Sequence, residues 1–269
     1  MGVFCKRETR IRKDELMRVA KLKHLQEKNC EKDYLLDALL LNIFQELDAP
    51  LVLKGGTALY KLFHLNRFSE DLDFTLNARK FDAKKTKDRL LKALRLLEVD
   101  GLGTSDTHGN AINIRFHLKG PLYNGRKESL CYILLNISHR ERIVYPAGKE
   151  LLISPYSGIP SFDVLVMNES EMMAEKIRAI MSRDKPRDIY DLWFLLKKGV
   201  RLDLGLINTK LKLNRMIFSK EEFSNQLEGK KNLWFEDLSG FIIGGLPDFE
   251  KVKNEIIINL NEGLKKNDV

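Results

Sequence analysis

The stretch that most constrains the fold is residues 51–56, which read Leu-Val-Leu-Lys-Gly-Gly. A short apolar run between Pro50 and a glycine pair is typical of a buried strand. Residues 57–65 then carry apolar side chains at helical spacing, so the glycine pair and Thr57 are predicted at a helix N-terminus. This arrangement presents backbone N–H groups and the positive end of the helix dipole at the end of a strand, where an anion can bind.

A second informative strand is predicted from Asp71 to Leu76. Apolar and polar residues alternate here with the period of a half-buried strand, which places Asp71, Asp73 and Thr75 on one face. Two carboxylates on one face can bridge divalent cations, and glycine lets the backbone approach phosphates. Together the two strands therefore have the parts needed to bind a nucleoside triphosphate and its metals, as two-metal nucleotidyl transfer requires.

The remaining pattern divides the chain in two. Up to about residue 153, helices are predicted at 14–25, 31–47 and 81–99, strands at 111–118 and 130–137, a turn at 101–109 and a hairpin connection at 120–127. Beyond Pro160, helices are predicted at 170–181, 189–198, 219–227, 233–243 and 249–264. We predict an α/β (α+β) sheet domain with N-terminal helices over residues 1–160 and a helical bundle over residues 161–269.

The amino-acid composition indicates which partners the protein can bind and in which cellular compartment it is expected. Hydrophobic residues make up 43% and charged residues 31% of the 269 positions, which is typical of a globular chain and excludes general disorder. The formal net charge of +8 and a cationic first stretch favour a polyanion such as nucleic acid, the alternative being a solvated helical face. No stretch is long and apolar enough to cross a membrane, and Cys5, Cys30 and Cys131 lack a C-x-x-C spacing. We expect a cytoplasmic protein with free thiols and no membrane partner.

A second block of functional candidates lies in the helical region. On the helix predicted from residue 170, Lys176 lies beside an apolar face, so its ammonium could reach a phosphate. Arg187, Asp188 and Asp191 are spaced to cluster at the start of the next helix. The alternatives are a surface lysine for Lys176 and a helix cap for Asp188.

These motifs resemble the AbiEii/AbiGii-type nucleotidyltransferases of toxin–antitoxin and phage-abortive systems, members of the DNA polymerase beta superfamily. The resemblance covers residues 31 to about 196 and rests on the segments 55–59, 67–73 and 174–192. It implies a polymerase-beta-like mixed sheet flanked by helices, a C-terminal helical bundle and a site in the cleft between them. It also implies Mg²⁺-dependent transfer of a nucleoside monophosphate from a nucleoside triphosphate to an acceptor hydroxyl.

The resemblance also implies roles for individual residues. The expected catalytic residues are Asp71, Asp73, Lys176 and Asp191, of which the first two hold Mg²⁺. The expected nucleotide-binding residues are Gly55, Gly56, Thr57, Arg67, Ser69, Lys176, Arg187 and Asp188. One position departs from the superfamily, because Asn136 lies where a third acidic residue is usual. A neutral amide oxygen should hold a second metal more weakly, unless Glu141 or Asp191 supplies the charge.

The sequence specifies the acceptor of the nucleotide less closely than it specifies the nucleoside triphosphate donor. Transfer RNA is an acceptor within the family, and the basic N-terminal stretch suits an RNA partner. The resemblance further implies a toxin that is balanced by a separate antitoxin protein. Two alternatives stay open: a catalytically weakened nucleotide- or RNA-binding module, which Asn136 favours, and a transferase that nucleotidylates a protein, because donor chemistry does not specify the acceptor.

Overall fold

The structure is a computed structural model that describes residues 11–46, 51–78 and 81–265. The chain divides into two compact units. The first comprises Met1–Leu53, Glu70–Arg140 and Lys149–Leu165, and the second comprises Lys54–Ser69, Glu141–Gly148 and Val166–Val269. The second unit therefore includes the glycine-started segment as well as the C-terminal helices. The division at residue 160 stays a prediction.

Ten α-helices and seven strands are present in the described residues. The helices are α1 (Lys13–Leu22), α2 (Glu27–Glu46), α3 (Gly55–Leu62), α4 (Ala83–Leu96), α5 (Glu169–Ser182), α6 (Arg187–Lys197), α7 (Leu204–Leu211), α8 (Lys220–Glu228), α9 (Trp234–Leu238) and α10 (Phe249–Lys265). The strands are β1 (Leu51–Lys54), β2 (Leu72–Leu76), β3 (Asp100–His108), β4 (Ala111–Lys119), β5 (Cys131–Ser138), β6 (Gly148–Leu152) and β7 (Phe162–Val166).

The strands form one mixed sheet in the order β3-β4-β5-β2-β1-β7-β6. β2 pairs parallel with β5, whereas β3, β4 and β5 form an antiparallel meander. The predicted fold class, a mixed sheet flanked by helices, is confirmed.

The prediction of a turn at residues 101–109 was wrong, because this segment is the edge strand β3. Gly101 is needed for close packing rather than for turning: a Cβ atom there would lie 2.5 Å from the carbonyl oxygen of His117 on β4. The Gly, Asp and Ser content that suggests a turn also suits an exposed edge strand. Sequence pattern alone does not separate the two.

The region predicted as a helical bundle, residues 161–269, begins with a strand that the sequence pattern did not predict. Residues 162–166 form β7, where Phe162, Val164 and Val166 are buried and alternate with more exposed neighbours. Five residues are too few for the alternation to stand out. The edge strand β6 was missed as well, because four of its five residues are exposed and carry no such signal.

In the first unit, one face of the meander is buried and the other is partly open. The buried face presents Ile112, Ile114 and Phe116 of β4, and α4 packs against β3 and β4 on this side. Asn113, Arg115 and the other alternate residues of β4 are only partly covered. Residue 47, predicted as the last residue of α2, lies outside the described residues.

In the second unit, α5 packs against α6, α7 and α8, and α10 packs against α6. The predicted start of α8 is confirmed, since the Ser219 hydroxyl accepts a hydrogen bond from the Glu222 backbone N–H at 3.3 Å. Helix α7 was not predicted, and the helix predicted at 233–243 is reduced to the short α9. None of the described helices combines the length and apolar character needed to cross a membrane.

Candidate nucleotidyl-transfer site

The glycine pair lies at the start of α3, directly after β1. Gly55 has φ of +73°, a conformation that glycine adopts without strain. A Cβ atom at Gly56 would lie 2.5 Å from Arg67 Nη2 and 2.9 Å from Ser69 Oγ. The backbone at Gly56 therefore approaches the side chains of Arg67 and Ser69 more closely than any other residue would allow. Five of the predicted nucleotide-binding residues lie in residues 55–69: Gly55, Gly56, Thr57, Arg67 and Ser69.

A buried network of ion pairs adjoins this segment within the second unit. The Nε and Nη2 atoms of Arg67 each donate to a carboxylate oxygen of Asp191 at 2.7 Å. Lys176 Nζ lies 2.6 Å from Asp191 Oδ2 and 2.8 Å from Asp188 Oδ1. Arg183 also donates to Asp188, at 2.8 and 3.0 Å. We call these five residues the Arg67–Asp191 network.

The network is held together by its charges. Burial opposes the ionised form of Asp191, but the positive charges of Arg67 and Lys176 outweigh it and lower the pKa of this carboxyl below its usual range. The pKa of Asp188 is lowered in the same way, against burial, by Lys176 and Arg183. Burial would lower the pKa of Lys176, yet the two aspartates raise it. All five groups are therefore charged near neutral pH.

The contacts of Lys176 and Asp188 differ from the two alternatives, a surface lysine for Lys176 and a helix cap for Asp188. The Lys176 residue is 7% exposed and is paired with two carboxylates, so it is not an ordinary surface lysine. Arg187, predicted to join the same cluster, contacts other residues: its backbone N–H donates to Asp237 at 3.0 Å, and its guanidinium lies 5.2 Å from the ring of Phe241. Neither Asp237 nor Phe241 was predicted, because both are distant in sequence.

A second buried network surrounds Glu141. Lys54 Nζ lies 2.7 Å from Glu141 and 3.1 Å from Glu175, and Arg178 also contacts Glu141. Burial opposes ionisation of Glu141, but a hydrogen bond with Glu175 and the charges of Lys54 and Arg178 lower its pKa strongly. Glu141 is therefore already neutralised by cations, as Asp191 is. These contacts give no support to either residue as the source of a third metal-binding charge.

The paired carboxylates belong to the first unit. Asp71 directly precedes β2, and Asp73 lies on β2 opposite Asn136 of β5 in the parallel register. Asn136 Nδ2 lies 3.4 Å from Asp73 Oδ1, whereas Asn136 Oδ1 is buried and has no hydrogen-bond partner among the described residues. Thr75, predicted on the same polar face, is 1% exposed. The exposed polar face of β2 therefore does not extend to Thr75, although the alternation of polar and apolar residues predicts that it does.

The surroundings of the pair favour a cation. Burial raises the pKa of Asp71, and the negative charges of Asp73 and Glu70 raise it further, although Lys32 opposes them. Carboxylate and amide oxygens are hard donors of the kind that Mg²⁺ prefers, so the residue types Asp71, Asp73 and Asn136 fit the expected metal. No group of three His, Cys, Asp or Glu side chains able to hold a metal occurs within residues 11–46, 51–78 and 81–265.

A mixed sheet with paired carboxylates at the start of one strand, and a helix that starts on a glycine pair, are the features expected of a nucleotidyltransferase. The family model described as "Nucleotidyl transferase AbiEii toxin, Type IV TA system" matches residues 38–255. The chain belongs to this family and is a nucleotidyltransferase, which confirms the resemblance drawn from the sequence.

Solved structures share the fold. The crystal structure of JHP933 from Helicobacter pylori is similar with a TM-score of 0.59 and 23% identity, over 90% of this chain and 94% of that chain. MenT4, a nucleotidyltransferase toxin from Mycobacterium tuberculosis, is similar with a TM-score of 0.64 and 19% identity, over 93% of this chain and 88% of that chain. A comparison with curated proteins found no match.

Proposed function

We propose that this nucleotidyltransferase moves a nucleoside monophosphate from a nucleoside triphosphate to a hydroxyl of RNA, in a Mg²⁺-dependent reaction. The observation that carries the proposal is the group formed by Asp71, Asp73 and Asn136, in which Asn136 Nδ2 lies 3.4 Å from Asp73 Oδ1 and burial, with the charges of Asp73 and Glu70, raises the pKa of Asp71. In the reaction the acceptor hydroxyl loses its proton and its oxygen bonds the α-phosphorus. The bond from the α-phosphorus to the bridging oxygen breaks, and pyrophosphate leaves.

Asp71, Asp73 and Asn136 are the residues proposed to hold Mg²⁺. An ion held by these residues would supply positive charge to the triphosphate and would lower the pKa of the attacking hydroxyl. The amide of Asn136 can turn by 180°, which exchanges its oxygen and nitrogen and brings Oδ1 to the side of Asp73. With two negative ligands instead of three, we expect the site to bind metal more weakly than a three-carboxylate site does.

The donor phosphates are proposed to bind at the start of α3. The backbone at Gly56, the Ser69 hydroxyl and the positive end of the α3 dipole provide hydrogen bonds and charge for phosphate oxygens. Ser69 precedes Asp71 by two residues, so their Cα atoms stay within about 7 Å of each other, the span of two trans peptides.

Lys176 and Asp191 are proposed to act through Arg67. Both contact Arg67 or its carboxylate partner, and Arg67 in turn approaches Gly56. They would hold the guanidinium in one orientation. Lys176 and Asp191 are thus proposed to position Arg67, and Asp188 is proposed to hold Lys176 through their ion pair.

RNA is the proposed acceptor because charge favours it. The formal net charge is +8 with a pI near 9.2, and four of the cations that contribute to it, Lys84, Lys85, Lys92 and Arg95, are exposed on α4. Transfer RNA and control by an antitoxin are expectations that the family supplies. The proposed compartment is the cytoplasm, in keeping with the buried thiols Cys30 and Cys131.

The test is incubation of the purified protein with Mg²⁺ and each α-labelled nucleoside triphosphate, in the presence of total RNA or of cell protein. Label on RNA that disappears in Asp71→Asn and Asp73→Asn, with circular dichroism unchanged, is the expected result. Label on protein with RNA unlabelled would instead identify a protein-modifying transferase and overturn the RNA acceptor.

Asn136 favours a second candidate function, a nucleotide-binding module with weakened catalysis. It predicts that triphosphate binds, as measured by calorimetry, while no acceptor is labelled. The variant Asn136→Asp separates the two candidates, because restored transfer by this variant alone would assign the loss to the third acidic position.

A further inference from the structure

The row of residues that holds Asp73 continues across the open face of the sheet. Asp73 of β2 lies opposite Asn136 of β5, Asn136 lies opposite Asn113 of β4, and Asn113 lies opposite Asp106 of β3. Asn113 Nδ2 donates to Asp106 Oδ1 at 3.2 Å. The proposed metal-binding residues are thus one end of a polar row that crosses four strands of the first unit.

An aromatic row lies parallel to this polar row. His117 of β4 is paired with Tyr132 of β5 and with Leu102 of β3. The rings of His117 and Tyr132 have centroids 5.3 Å apart at an interplanar angle of 60°. Tyr132 is 38% exposed and Leu102 is 74% exposed, so this row presents apolar surface to solvent. Arg115 lies between the aromatic row and the polar row.

The far end of the face is cationic. Lys119 ends β4, and the connection to β5 carries the exposed Arg126 and Lys127. Residues 119–127 contain these three cations and no acidic residue. Lys119 pairs with Asp100 at 2.9 Å and lies 5.8 Å from the ring of Tyr123. Passing along β4 from the polar row, a ligand would therefore meet Arg115, the aromatic row and then a run of positive charge.

We propose that this face binds a single-stranded segment of RNA, with the acceptor hydroxyl at the Asp73 end. We call it the β3–β5 platform and define it by Leu102, Arg115, His117, Lys119 and Tyr132. The proposal rests on the proposed function and adds where the acceptor lies. Its occupant is inferred from chemistry: exposed aromatic rings on a sheet stack unpaired bases, and cations at the end of the path contact phosphates.

The spacing suits more than one nucleotide. Asn136 and Tyr132 are separated by four residues of β5, or about 13 Å at the usual strand rise. A terminal nucleotide at Asp73 would therefore leave preceding bases over the aromatic row. A duplex is a poor occupant, because its bases are already stacked on one another and do not offer their faces to side chains.

The experiment measures the affinity of the full chain for a short single-stranded RNA and for the same sequence in a fully paired duplex, by fluorescence anisotropy. The test variant is His117→Ala/Tyr132→Ala. The stacking control is His117→Phe/Tyr132→Phe, which keeps both rings. The matched control is Phe235→Ala, which removes an aromatic side chain that is 71% exposed on α9 of the second unit.

We expect the alanine pair to lose tenfold or more in affinity for the single strand, since stacking is worth about 1–3 kcal/mol per base. Duplex affinity should change by less than about twofold, and the phenylalanine pair and Phe235→Ala should bind like the unaltered chain. The platform is overturned if the alanine pair keeps its single-strand affinity, or if Phe235→Ala or duplex binding loses as much.

Two further measurements separate this proposal from the proposed function. Calorimetric affinity for nucleoside triphosphate should be unchanged in the alanine pair, and Asp73→Asn should abolish transfer while it keeps RNA binding. If transfer fails for every acceptor but the alanine pair still loses single-strand binding, the proposed function fails and the platform stands. If RNA is labelled equally well by the alanine pair and by the unaltered chain at limiting RNA, the platform fails and the function stands.

Discussion

The guanidinium of Arg67 meets the carboxylate of Asp191 at two points, with both N–O distances at 2.7 Å. The two residues are 124 positions apart in sequence and both are buried. Arg67 Nη2, one of the two donors, is also the atom that a Cβ at Gly56 would meet first. One guanidinium therefore links the glycine turn at the start of α3 to a carboxylate of α6. We expect a substitution at Gly56 or at Asp191 to displace the Arg67 side chain.

The first prediction concerns the stability of this link. Arg67→Ala should lower the free energy of unfolding by about 3–5 kcal/mol, because it leaves a buried carboxylate without its main partner. Urea unfolding followed by the fluorescence of Trp193 and Trp234, both in the second unit, measures it. Lys198→Ala is the control, because its pair with Glu169 is partly exposed and should contribute less than about 1 kcal/mol. Equal effects of the two variants would contradict a structural role for the Arg67 pair.

The second prediction concerns the close approach at Gly56. A methyl group in Gly56→Ala would lie 2.5 Å from Arg67 Nη2 and 2.9 Å from Ser69 Oγ, so these side chains must move. We expect at least a tenfold loss of nucleoside triphosphate affinity, measured by calorimetry. Gly240→Ala is the matched control, because nothing lies within 4 Å of a Cβ built there. The prediction fails if both variants bind the nucleotide equally well.

The third prediction is a pH dependence of stability. The pKa values of Asp188 and Asp191 are lowered in the folded state, so their ion pairs contribute fully above the ordinary aspartate value of about 4. This contribution is lost as the pH falls through the folded-state values. The free energy of unfolding should therefore decline below about pH 4, and Asp188→Asn should reduce the slope.

Urea midpoints measured across this acid range check the third prediction. Asp184→Asn is the control, because its side chain is 80% exposed. An Asp188→Asn slope as steep as that of the unaltered chain would show that other groups cause the acid sensitivity.

The elements that position the site could be predicted where the sequence pattern lies within a few consecutive residues. The run into Gly55 and Gly56, and the alternation through Asp73, each lie within a few residues and fix their own secondary structure. By contrast, the glycine content of β3 predicts a turn, whereas Gly101 is required because it packs closely against β4. The pairing of Arg67 with Asp191 was beyond prediction for the same reason, since no short-range spacing encodes a contact between distant segments.

The last prediction tests the position opposite Asp73. Asn136→Asp would add a third negative ligand beside Asp73, so we expect the affinity for Mg²⁺ or Mn²⁺ to rise at least tenfold. Without metal the added carboxylate repels Asp73, so the melting temperature should fall, and it should recover on adding Mg²⁺ by more than in the unaltered chain.

Asn113→Asp is the matched control for this prediction, since it makes the same change one strand further from Asp73 in the same row. Asn136→Leu completes the series, because it removes the amide oxygen and should weaken metal binding. Calorimetry with each metal and thermal unfolding with and without Mg²⁺ give both readouts. If Asn136→Asp gains no more affinity than Asn113→Asp, the residue opposite Asp73 is not a metal ligand, and the weak third position lies elsewhere in the site.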